Sequence, residues 1–153
     1  MIEVLITGAV GGLLFYFIGS GFNKMQGNIQ KNRIEKRLSS GTIERMDLVL
    51  ALNYYSNSEK IIKEGEKYVI LAEQHFPNDR EVNEVIFNYF MIAKDYNKAM
   101  DKVDEMIEKF PEDAGILFGK GYCLFNLNEK EQAEEFRTRA ILLDKSFKNR
   151  PYK

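Results

Sequence analysis

From Met46 to the end of the chain, apolar residues recur at intervals of three and four, and no alternation of the kind that marks a strand is sustained. Val82, Ile86, Tyr89, Phe90 and Ala93 form one such stripe, and Ala99, Val103, Met106 and Phe110 form the next after a break near Lys94-Asp95. A third runs through Leu117, Gly121, Leu124 and Phe125, and a fourth through Ala133, Phe136, Ala140 and Leu143, with Asn128 placed to cap the helix that carries the fourth. Ser56 and Glu59 read as a capping box between two earlier helices. Pro77 and Pro111 each follow a stripe, where a helix stops and the next one opens. The pattern predicts an all-α chain of paired helices.

The pairs repeat. His75-Phe76-Pro77-Asn78-Asp79 and Lys109-Phe110-Pro111-Glu112-Asp113 superpose at an offset of 34 residues. Gly65, Ala99 and Ala133 share that offset and are all small, and Ala72, Met106 and Ala140 form a second series. A period of this length is the signature of stacked repeats. It divides residues 43–147 into units 46–79, 80–113 and 114–147, with 148–153 left as a tail; at Lys145 the proline slot is lost.

On Gly121, Ala133 and Ala140, on Ala99 and Pro111, and on Ala72 and Pro77, the chain resembles the tetratricopeptide repeat, a helix-turn-helix unit with small residues where its helices cross. Asn53 and Phe87 depart from the small residue at the Gly121 slot, and Trp is absent. The resemblance implies an α-solenoid of about three helix pairs whose first helices line a concave face. That face would carry Leu50 and Tyr54, then Glu84, Asn88 and Met91, then Phe118, Tyr122 and Phe125. Aromatic and apolar with a few polar handles, it suits a protein partner that offers an amphipathic helix or an extended apolar segment. The carboxylate clamp of chaperone-binding members is missing, because the matching slots hold Leu50, Tyr54, Val85, Gly115 and Gly119. Lys148–Lys153 are too few for a capping helix, so Ile141 and Leu142 are expected at the surface.

Ahead of the repeats, Val4 to Phe22 hold 19 residues without a charge, enough to cross a hydrocarbon core of about 30 Å. The expected fold is therefore all-α with a single transmembrane helix in 1–23, a basic linker helix in 24–42 ending at Ser39-Ser40-Gly41, and Thr42 capping the first repeat helix. Basic residues begin at Lys24, which places the repeats in the cytoplasm with the amino terminus outside, in a bacterial inner membrane. Gly8 and Gly12 form a GxxxG pair suited to packing against another membrane helix or a second copy of the chain.

Composition narrows the chemistry. The single Cys123 sits inside a helical stripe and reads as a buried hydrophobe, which excludes an internal disulfide and a multi-cysteine metal site within one chain. Residues 23–45 carry a net charge of +4 and residues 46–153 a net of −4, so the basic surface is not on the repeats, against nucleic-acid binding. His75 is the only histidine, at a helix end, and Asp101, Asp104, Glu105 and Glu108 follow the spacing of a solvated face. No catalytic constellation, metal or cofactor is expected. The chain reads as a membrane-anchored adaptor or scaffold; the alternatives are a mitochondrial outer-membrane receptor, an accessory subunit of a membrane complex, or a periplasmic repeat protein with a cleaved leader.

Overall fold

A computed structural model describes residues 24–41, 43–56 and 62–152, and among them every regular element is helical. The helices are α1 (Lys24–Ser39), α2 (Arg45–Ser56), α3 (Glu66–His75), α4 (Arg80–Ile92), α5 (Tyr96–Lys109), α6 (Ala114–Asn126) and α7 (Lys130–Leu143). Short 3₁₀ turns occupy Ile62–Gly65 and Lys145–Asn149. Contacts divide these elements into two compact units, one reaching to Met106 and the other beginning at Ile107.

The periodicity of the sequence is repeated in backbone geometry. Asp79 caps α4 by accepting the Val82 N–H at 3.0 Å. One period later, Asp113 caps α6 by accepting the Gly115 and Ile116 N–H groups at 2.9 and 3.1 Å. At the far ends of those helices the only non-glycine residues with positive φ among the described residues are Lys94 (59°) and Asn128 (69°), again 34 apart. Around each, two hydrogen bonds close a Schellman turn: Lys94 N–H to the Met91 carbonyl and Asp95 N–H to Phe90, then Asn128 N–H to Phe125 and Glu129 N–H to Leu124. Ala72, Ala99, Ala133 and Ala140 are all buried.

In the first unit α2 packs against α1, α3 and α4. Leu48, Ala51, Leu52 and Tyr55 of α2 are buried, as are Tyr68 and Ala72 of α3 and Val82, Ile86, Phe87 and Tyr89 of α4. Tyr55 stacks on Tyr68 with ring centroids 5.1 Å apart. Gly65 is buried because a Cβ there would stand 2.6 Å from the Tyr89 ring and 2.9 Å from the Tyr55 Cβ. The Tyr89 hydroxyl donates to the Ile62 carbonyl over the same turn. In the second unit α6 and α7 form a hairpin, and Phe147 of the following 3₁₀ turn joins Ala114, Leu117, Phe118 and Ala140 in one core cluster.

The expected membrane crossing is corrected. Among the described residues no helix is long and apolar enough to cross a membrane. The longest, α1, has 16 residues and carries Lys31, Arg33, Lys36 and Arg37; at 1.5 Å per residue it extends roughly 24 Å, short of the ~30 Å hydrocarbon core. Val4–Phe22, with Gly8 and Gly12, lies outside the described residues, as does Thr42. The lack of a membrane-crossing helix among the described residues overturns the expected transmembrane helix, single-pass topology, cytoplasmic placement of the repeats and bacterial inner membrane.

Two basic residues of α1, Lys31 and Arg37, meet carboxylates of the helical unit. Arg37 pairs with Asp47 at 2.8 Å and Glu44 at 3.4 Å, Lys31 with Glu64 at 3.2 Å, and Lys67 reaches back to Glu35 at 3.5 Å. Ile34 is buried beneath them. Two caps are also corrected. Ser56 ends α2 and donates its hydroxyl to the Leu52 carbonyl, so it cannot cap a following helix, and Glu59 lies outside the described residues. Asn128 occupies the left-handed turn position, and the residue at the α7 N-cap is Glu129.

Candidate functional site

The residues expected on the concave face fall in both units. On α2, burial of Leu48, Val49, Ala51 and Leu52 turns the opposite side outward: Leu50 is 42% exposed, and Met46, one helical turn before it, is 46% exposed. Tyr54 is half-buried and lies edge-on to Tyr55 at 5.1 Å. The stripe begins beside charge, since Arg45 pairs with Glu81 and with Asp79 at 3.7 Å.

On the neighbouring α4, Glu84 is half-buried and accepts from Arg80 at 2.9 Å, and Asn88 is half-buried. Met91 is buried, so it contributes to the core and not to a surface. Ile92, which the pattern did not single out, is 46% exposed in its place. Met91 stands one turn after the buried Phe87 and Ile92 one turn after the half-buried Asn88, so helix phase turns the first inward and the second outward. Met46 was legible as the residue four before Leu50.

In the second unit Phe118, Tyr122 and Phe125 lie on α6 at spacings of four and three, and all three surround one ring. Tyr152, from the segment after α7, has centroids 4.9 Å from Phe118, 5.8 Å from Tyr122 and 5.7 Å from Phe125. Its hydroxyl donates to the Ala133 carbonyl at 3.4 Å. Gly121 forms the near wall, where an added Cβ would overlap that hydroxyl and come within 2.9 Å of the Ala133 carbonyl oxygen. Burial pushes the Tyr152 phenol well above its ordinary pKa. Phe147 meets the other side of Phe118 at 4.9 Å. Lys148–Lys153, too short for a capping helix, thus covers α6 with Tyr152, and Phe147 of the preceding 3₁₀ turn adds a second aromatic contact. Their spacing just beyond the last stripe was the available signal. Farther along α7, Leu142 is 78% exposed and Leu143 50% exposed.

Among the described residues no group of three or more His, Cys, Asp or Glu is placed to hold a metal ion. Cys123 is buried and His75 is exposed at the end of α3. The most deeply buried cation among the described residues, Lys102, lies 2.8 Å from both Glu73 and Glu105. Burial opposes its charge, but hydrogen bonds to Glu105 and Glu73 outweigh that and hold the ammonium above the usual lysine range. This is an ion-pair cluster that fastens α3 to α5. Compared with known proteins, the chain matches no family model, no curated protein and no solved structure.

Proposed function

We propose that this chain is a protein-interaction module of the tetratricopeptide type, which binds a helix or an extended apolar segment of another protein on the first helices of its pairs, and that it is not an enzyme. The observation that carries this reading is the outward Met46–Leu50 stripe on α2, a helix whose opposite side is fully packed. Isolated apolar residues on a surface need no explanation, but two on consecutive turns, flanked by Tyr54 and bounded by the Arg45 ion pairs, make a patch with a polar rim. The repeated caps and turns at Asp79, Asp113, Lys94 and Asn128 support the repeat type.

A photo-crosslinking amino acid introduced at Leu50 tests the reading against the same probe at Asp101, on the solvated side of α5. In extract of the source cells, Leu50 should give a discrete cross-linked species that Asp101 does not, and Met46→Asp should abolish it. Identical products from both positions would sink the reading. A product formed with purified protein alone would identify the partner as a second copy.

A further inference from the structure

The segment after α7 buries Phe147 fully and packs the half-buried Tyr152 against the edge of the same core cluster. Phe147, 1% exposed, is core. Between it and Tyr152 the chain is held by the Arg137 guanidinium donating to the Lys148 carbonyl at 3.0 Å and by the Arg150 N–H donating to the Phe147 carbonyl at 3.0 Å. Arg150 is extended, with φ −103° and ψ 98°, as a residue before proline is constrained to be, and Pro151 is exposed. Rotation about Arg150 would lift Tyr152 out while leaving Phe147 in place.

The cradle that receives Tyr152 is shaped for a phenol. Phe118, Tyr122 and Phe125 surround the ring with tilted contacts, and an acceptor stands at its end. Tilted aromatic contacts at these distances add specific attraction to area burial. Gly121 leaves the space that lets the hydroxyl approach the Ala133 carbonyl. At 3.4 Å that hydrogen bond is long, so the ring contacts contribute most of what holds Tyr152.

We propose that the α6 cradle is a binding site for tyrosine side chains of extended peptide segments, and that Tyr152 occupies it as an intramolecular stand-in which such a partner displaces. The inference rests on the interaction-module reading and adds the side chain recognised and the gate over its site. A tethered occupant acts at an effective concentration in the millimolar range. A partner segment at micromolar concentration is therefore excluded until Tyr152 leaves.

The test uses a fluorescent peptide with the sequence of Lys148–Lys153 and the full-length chain, read by anisotropy. Tyr152→Ala should bind this peptide at least about ten-fold more tightly than the unaltered chain. Tyr152→Ala with Phe125→Ala should lose that gain, and replacing the peptide's tyrosine by phenylalanine should weaken binding several-fold. Circular dichroism accompanies each variant. A folded Tyr152→Ala chain that binds no better than the unaltered one overturns the proposal. So does an unfolded one, because Tyr152 would then be core. Sedimentation adds a further check: a dimer of the unaltered chain that Tyr152→Ala dissolves would mean that the occupant comes from a second copy, which also overturns it. Leu50 cross-links that persist while peptide binding fails sink the tyrosine site alone; loss of both sinks the interaction reading.

Discussion

At the scale of single residues, Tyr89 shows how closely chemistry and packing are joined in the first unit. Its ring fills the space that Gly65 leaves open, and its hydroxyl donates to the Ile62 carbonyl. Burial first, and then the charge of Glu66, push its phenol up to about 12 from 10.0. The folded state thus favours the neutral hydroxyl. A folded value above the unfolded one means that this stability is fully present below pH 10 and is lost as pH rises toward 12. Urea unfolding at pH 8 and at pH 11.5 should show the unaltered chain losing on the order of 2 kcal/mol through this group, while Tyr89→Phe is spared that share. At pH 8 the variant should be less stable by about 1 kcal/mol, because the Ile62 carbonyl loses its donor. Equal pH dependence of the two proteins would show that Tyr89 does not titrate with unfolding.

At the scale of elements, the caps explain where the helices begin and end. Asp79 and Asp113 each satisfy N–H groups that the first turn cannot pair, and each precedes a helix by one residue in the same phase of the repeat. Asp113→Ala should cost about 1 kcal/mol in denaturant unfolding, and Asp79→Ala a similar amount. Lys94→Gly should instead stabilise by a few tenths to about 1 kcal/mol, because glycine accepts the positive φ that lysine holds under strain. A destabilised Lys94→Gly would show that the lysine side chain matters more than its backbone.

At this scale much of the fold is legible in advance. The stripes through Val82–Tyr89 and Leu117–Leu124 match buried faces of α4 and α6. Two caps were misplaced for a local reason: Ser and Asn are equally suited to ending a helix and to starting one, and only backbone geometry separates the two uses.

For the whole molecule, the decisive residues are those at the end of the last repeat unit. Phe147 enters the core of the second unit from a 3₁₀ turn that no periodicity announces. Phe147→Ala should cost about 3–5 kcal/mol, the usual range for removing a buried aromatic. Leu142→Glu, on the outer side of α7, should change stability by no more than about 0.5 kcal/mol. Comparable losses from the two would mean that the exposed side of α7 is covered in solution.

The sequence by itself determined the helices, their 34-residue phase and the small residues at Gly65, Ala99 and Ala133, because helical periodicity, Pro placement and side-chain size are local or repeat at a constant offset. Only the tertiary structure decided that Met91 is core while Met46 and Ile92 face out, that Lys31 pairs with Glu64 and Arg37 with Asp47 and Glu44, and that Tyr152 fills the α6 cradle. Helix rotation, ion-pair partners and the path of a segment without regular structure depend on contacts between residues far apart in the chain. A one-dimensional pattern carries no term for those contacts.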